Sequence, residues 1–294
     1  MIPQHERYAN FYTDFAFKKL FGTEANKECL ICFLNSLFDG EEVVKDVTYL
    51  NTEHLGHASL DRKAVFDVYC ENEKGEKILI EMQKAEQKYF KDRSIYYSTF
   101  PIREQAPKGE WNFELQKVYT ICILNFIFDD TNDECMHHEV KLVDTKTNKV
   151  FFDKLTYVYL EMPKFRKTED ELLNLREKWF YAIKHLNTLM ERPAILQEAV
   201  FEHFFRAAEI ANFTPTEQRD YHESQKEMWD LFAITTTAEE KGLIKGIAKG
   251  RAEGRAEGRA EEKYAIAQKM KQDGMPNAVI SRYSGLTIEE IEQL

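Results

Sequence analysis

Several things are missing from this chain, and each absence narrows its class. It has only five cysteines, an odd number without framework spacing, which argues against a disulfide-stapled secreted domain. No segment reaches the eighteen or so uninterrupted apolar residues that a membrane-spanning helix needs, so no membrane partner is expected. The first residues, Met1-Ile2-Pro3-Gln4-His5-Glu6-Arg7, hold no basic region followed by an apolar stretch, and the expectation is a soluble cytoplasmic protein. Positive charge is also short: the formal balance is −11, whereas a general nucleic-acid coat relies on Lys and Arg to release counterions. Any nucleic-acid contact must be local or supported by a metal.

What is present suits a folded protein. The 294 residues are enough for one large domain or two smaller ones, each with its own core. Asp14 to Phe21 reads as a short helix ended by Gly22, and Thr23 caps a second helix carrying Cys29, Leu30, Phe33, Leu34, Leu37 and Phe38 at helical spacing. Val43 to Leu50 reads as a first strand. Lys84 to about Glu104 has helical character, Val118 to Leu124 is an apolar, β-branched run expected of a strand buried on both faces, and further strands are expected at Glu139–Val143 and Tyr157–Leu160. From about Thr168 the pattern is helical. The order defines a mixed α/β domain followed by a helical carboxy-terminal region.

Between the first strand and that helix lies the most informative stretch. Ala64 to Cys70 and Lys77 to Gln83 read as two strands of a hairpin joined through Asn72-Glu73-Lys74-Gly75. Alternation places Phe66, Val68 and Cys70 with Ile78, Ile80 and Met82 on the buried side, and Asp67, Glu81 and Gln83 on the other. Counting outward from the turn sets Asp67 opposite Glu81 to within one residue, with Cβ atoms roughly 5 Å apart. Two carboxylates so placed suit a hard cation such as Mg2+ or Mn2+, which takes oxygen ligands and often needs only one or two protein carboxylates plus a substrate phosphate. An ion held there could polarise a phosphoryl oxygen and deliver a deprotonated water, so phosphodiester hydrolysis is the natural chemistry.

Asp67 followed by Glu81-Met82-Gln83 is similar to the divided motif of the PD-(D/E)XK nuclease superfamily, and the chain most resembles its family of recombination-promoting nucleases and transposases. The resemblance runs through Asp14 to Gly22, Asp61-Arg62-Lys63, Ile80 to Gln83, Arg93-Ser94-Ile95-Tyr96-Tyr97, Tyr159-Leu160-Glu161-Met162-Pro163-Lys164 and Gly285 to Ile291. It implies a restriction-endonuclease-like α/β core, divalent metal dependence and cleavage of DNA. It also implies an acidic ligand from the first helix, for which Asp14 and Glu24 compete. Gln83 stands where most superfamily members have lysine; an amide can position water but carries no charge. Lys63, on the same strand face as Asp67 but roughly 13 Å along an unbent strand, and Arg93, which could grip a phosphate in bidentate fashion, are candidates for the cationic role. Lys18 either contacts substrate or forms an intrahelical ion pair with Asp14.

Other features carry plainer readings. Cys29-Leu30-Ile31-Cys32 has the spacing of a metal half-site but lies on an apolar helix face and reads as core thiols. His137-His138 reads as part of a polar loop, and Tyr96 and Tyr97 as packing against the sheet. The expected organisation is a nuclease-like domain over 1–165, a helical extension over 166–240, a glycine-repeat helix over 241–263 and a small helix-turn-helix-like tail over 264–294. Glycine every four residues from Gly242 to Gly258 makes either a solvated linker helix or a stripe for homo-oligomer formation. A catalytically degenerate DNA-binding or self-associating protein of mobile-element origin is the alternative to a nuclease.

Overall fold

A computed structural model of the protein describes residues 6–38, 43–54, 64–106, 112–128 and 134–294. Two units are evident, residues 1–231 and 232–294. The first is built on a six-stranded mixed sheet in the order β1-β4-β5-β6-β8-β7, where β1 is Val47–Tyr49, β4 Val68–Asn72, β5 Lys77–Gln83, β6 Val118–Leu124, β7 His137–Asp144 and β8 Lys149–Glu161. A separate pair joins β2, Glu53–His54, to β3, Ala64–Val65. β1, β4 and β5 run antiparallel through hairpin-like pairings, whereas β5, β6 and β8 are parallel. Parallel neighbours need a crossover, and between β5 and β6 it is α3, Phe90–Glu104. The central strand β6 is buried along its whole length, as its apolar run predicts.

One sheet face carries the main core. Val68, Cys70, Ile78, Ile80, Met82, Ile121, Ile123, Val158 and Leu160 meet α1 (Asp14–Phe21), α2 (Lys27–Leu37), α4 (Leu175–His185) and α5 (Ala199–Ala208). Its centre is aromatic: Trp179 packs edge-on to Phe21, Phe33 and Phe204 at 5.9, 5.9 and 5.2 Å, a geometry that suits ring quadrupoles. Thr13 begins α1 by accepting the Ala16 amide. Gly22 ends it for a packing reason, since a Cβ there would lie 2.8 Å from the Lys18 carbonyl and 3.3 Å from Val68. Thr23 does not cap α2 directly; a 3-10 turn over Glu24–Asn26 intervenes, and the Thr23 hydroxyl donates to the Lys19 carbonyl. Cys29 lies in this core and Cys32 packs against it as expected.

The other face is covered by α3, where Ser94 and Ser98 hydrogen-bond the Tyr159 and Tyr157 hydroxyls at 2.8 and 2.7 Å. Tyr97 packs on Phe66, whereas Tyr96 is exposed. The helix starts at Phe90 rather than Lys84, after a left-handed Tyr89. His137 and His138 open β7 instead of sitting in a loop. There Glu161, fully buried at the end of β8, accepts from Lys164 (2.5 Å), His138 (3.0 Å) and the Phe128 amide (2.9 Å). Burial raises its pKa, but these three donors outweigh burial and hold the carboxyl below its usual range, so the Tyr159 to Lys164 motif acts as a structural lock.

The helical region is less continuous than its periodicity predicts: 3-10 turns and loops separate α4, α5 and α6, Pro215–Gln272. In the second unit, Ala267, Ile280, Leu286 and Ile291 form a small core between α6, α7 (Asn277–Ser284) and α8 (Ile288–Glu292). The breaks fall where expected, at Gly274 and at Gly285, both with positive φ. Gly242 to Gly258 have open space around each Cα. Among the described residues no helix is long and apolar enough to cross a membrane.

Because Gly22 sets the approach of α1 to β4, Gly22→Ala should destabilise the protein by about 1–3 kcal/mol in urea unfolding. Unchanged stability would show that α1 can shift freely.

Candidate active site

The ladder between β4 and β5 ends at the pair Val68 with Ile80, so the next position sets Asp67 against Glu81. Here the main chain of β4 leaves the sheet. The Met82 amide, which would otherwise lose its acceptor, donates to Asp67 Oδ2 at 2.8 Å. A carboxylate thus continues the ladder and is pinned beside Glu81. The same break turns Phe66 over: it packs with Tyr69, Leu79 and Phe100 under α3, not with Val68 and Cys70 as strict alternation predicts, because β3 and β4 are not one strand.

Glu81 is 5% exposed, its Oε1 is buried without a hydrogen-bond partner among the described residues, and its Oε2 accepts from the Gln83 side-chain amide at 3.4 Å. Burial, then the charge of Asp67, push its carboxyl well above the usual range, against the Arg93 cation, the Asp67 backbone amide and the Gln83 amide. Asp67 is half-buried. Burial raises its pKa to about 6, the Met82 amide opposes that, Asp14 adds to it, and Lys18 and Lys84 reduce it. Two carboxyls with raised pKa values, one beside the other, are the arrangement in which a cation is most favoured.

Asp67 opens onto a cavity of about 510 Å3 whose lining includes Asp14, Lys18 and Lys19 of α1 and Asp220, Glu223 and Glu227 of α6. Asp14 therefore faces the same space as Asp67, while forming its ion pair with Lys18 at 3.0 Å. Glu24 does not line it; that side chain is exposed and pairs with Lys27 at 2.6 Å. Arg93 makes neither of the surface ion pairs open to it with Glu86 or Asp92. It hydrogen-bonds Gln87 and lies over the Phe90 and Tyr97 rings at 5.3 and 5.7 Å, where its charge reaches Glu81. Lys63 lies outside the described residues. Among the described residues no three His, Cys, Asp or Glu side chains are grouped to hold a metal ion; Asp67 and Glu81 are a pair of carboxylates.

Two features escaped the sequence reading. Lys84, a cation acting on Asp67, directly follows Gln83, and its signal was simply a lysine one position late. Asp220, Glu223 and Glu227 are spaced to share one face of α6, but nothing in the sequence ties that face to Asp67.

A mixed sheet flanked by helices, with an acidic pair where a hairpin leaves the ladder, defines a restriction-endonuclease-like α/β protein. The chain belongs to the PD-(D/E)XK nuclease family transposases, whose family model matches residues 11–238. Neither the curated proteins nor the solved structures contain a match to it. The family carries a nuclease and transposition role, and PD-(D/E)XK nucleases typically use divalent metals.

A raised carboxyl pKa in the folded state makes a contribution to stability that is full below the ordinary value of 3.8 and lost as pH rises through about 6. Asp67→Asn keeps an acceptor for Met82 without the charge. In EDTA at about pH 7.5 it should be more stable than wild type by on the order of 2 kcal/mol, the gap closing towards pH 4. A variant no more stable at the higher pH would contradict the electrostatic reading.

Proposed function

We propose that this protein is a metal-dependent DNA endonuclease that hydrolyses phosphodiester bonds at the Asp67 and Glu81 site in the course of recombination or transposition. The observation that carries this reading is the meeting of those two carboxylates at the end of the ladder, one with an unpartnered buried oxygen and the other facing a cavity. The donors fit a hard divalent cation: both are oxygen ligands, both resist ionisation without a counter-charge, and Glu81 Oε1 has no other partner among the described residues. Asp67 and Glu81 would hold Mg2+ or Mn2+, with Asp14 the third acid facing the cavity. When bound, the ion would supply Lewis acidity and a more acidic water.

The chain's own residues do the rest. Gln83, anchored on Glu81, has an amide that can both donate to and accept from a water molecule and so orient it. It cannot offset charge, and that role falls to the cations around the pair. Lys18 and Lys84 act on Asp67 and Arg93 on Glu81; Lys63 is the further candidate. The guanidinium of Arg93 matches a phosphate in bidentate fashion.

A second reading is a DNA-binding protein of mobile-element origin that has lost its chemistry, and the observation favouring it is Gln83 in place of a cation. Duplex binding without cleavage in either Mg2+ or Mn2+ would select it.

Purified protein should nick or cut plasmid DNA in Mg2+ or Mn2+ and stop with EDTA. Asp67→Ala and Glu81→Ala should each lower the rate by on the order of 10²–10³ or more while keeping the wild-type circular dichroism. Equal cleavage by wild type and both variants would reject the assignment.

A further inference from the structure

The β7 and β8 strands do more than complete the sheet. β6 begins opposite Leu155 of β8, so residues 142–154 form a two-stranded ribbon with no third strand beside it among the described residues. An unsupported ribbon in water should be polar on both faces, yet Leu142, Val143 and Val150 are about half exposed and Phe151 is 79% exposed.

The charge of the ribbon is opposite to that of the chain. From Leu142 to Lys154 there are three lysines and two aspartates, in a protein of net charge −11. Asp144 is committed to the turn, where its carboxylate accepts the Lys146 and Thr147 amides at 2.8 and 3.3 Å. Lys141 pairs with Glu139, and Lys154 donates to the Leu115 carbonyl. Lys146 and Lys149, at the tip, take part in no ion pair among the described residues. Phe151 lies at the register shift itself, between the pairs Leu142 with Phe152 and Val143 with Val150, where a bulge re-aims a side chain out of the regular alternation.

β7 is an edge strand, and lysines and bulges protect edges from pairing with other chains. That accounts for Lys141 and for the irregular register around Leu142. It does not account for a bare phenylalanine on β8 beside two unpaired lysines. A two-stranded ribbon is narrow enough to enter a major groove about 12 Å wide.

We propose that the β7–β8 ribbon contacts duplex DNA away from the cutting site, with Lys146 and Lys149 on phosphates and Phe151 against base edges or sugars. The identity of the partner rests on the nuclease reading above. β8 carries extra residues against β7 between Val150 and Thr156, so the span is counted on β7: from Val143, opposite Val150, to His138, opposite Tyr159, is about 17 Å, and Tyr159 shares its row with Cys122 and Glu81, two strands away. The ribbon therefore engages DNA roughly five to six base pairs from the scissile phosphate, at 3.4 Å per pair.

The test is equilibrium binding of the full chain in EDTA to a labelled duplex of about 24 base pairs, over a series of salt concentrations. Lys146→Ala with Lys149→Ala should weaken binding about tenfold and lower the slope of log affinity against log salt by about 2. Phe151→Ala should weaken binding without changing the slope. Sedimentation of each variant is measured alongside. Wild-type affinity and slope in all variants would overturn the proposal, as would a wild type that binds no duplex. A change of sedimentation with DNA affinity intact would also overturn it and assign the ribbon to pairing between copies. Cleavage is assayed separately: a protein that binds through these lysines but never cuts upholds the ribbon and rejects the nuclease, and one that cuts while ignoring them does the reverse.

Discussion

The hydrogen bond from the Met82 amide to the Asp67 carboxylate is the contact on which the rest of the site depends. A strand that leaves a sheet strands an amide on its neighbour, and a buried amide without a partner costs about 1–3 kcal/mol. Here a side chain takes over as acceptor, so the requirement to satisfy the backbone also fixes the position of an acid. The neighbouring position on β5 is Glu81, and the two carboxyls meet because the ladder ends where it does.

That placement is unfavourable for the folded protein on its own. Glu81 is deeply buried and Asp67 adds a like charge beside it, a combination that would not survive in a sheet built only for stability. The surroundings hold it in place. The glycine at position 22 lets α1 come up against Val68, which brings Asp14 and Lys18 to the same cavity, and the aromatic core around Trp179 fixes the helices beneath. On the far side, Glu161 shows how an equally buried acid behaves when fully paired: with three donors its carboxyl lies low, whereas Glu81, with an unpartnered oxygen, lies high. Local strain of this kind is what binding sites store.

Much of the α/β domain was legible in the chain. The apolar run of β6, the hairpin turn at Gly75 with its positive φ and the stop at Gly22 all follow from local chemistry, and they set the fold class and the register that opposes Asp67 to Glu81. What was not legible depended on tertiary context. Alternation assumes an unbroken strand and so predicts the opposite face for Phe66; the break between β3 and β4 has no local signal beyond ordinary residues. The first half of β8 is not announced in the sequence because Lys149 to Lys154 are largely exposed and irregular in register, without the buried pattern of Tyr157 to Leu160. The approach of α6 to the Asp67 cavity joins positions far apart in the chain, and it becomes visible only in the hydroxyls of Tyr221 and Ser224, which accept the Asn10 and Phe15 amides.

The central claim is that Asp67 and Glu81 together constitute a site for a divalent ion. Titration of Mn2+ into metal-free protein by calorimetry, at about pH 7.5 and again below the Asp67 pKa of about 6, tests it most directly. The expected result is one ion bound at the higher pH with release of protons, weaker binding at the lower pH, and loss of binding in Glu81→Gln. Binding that is absent, or that is unchanged by pH and by that substitution, would contradict the account.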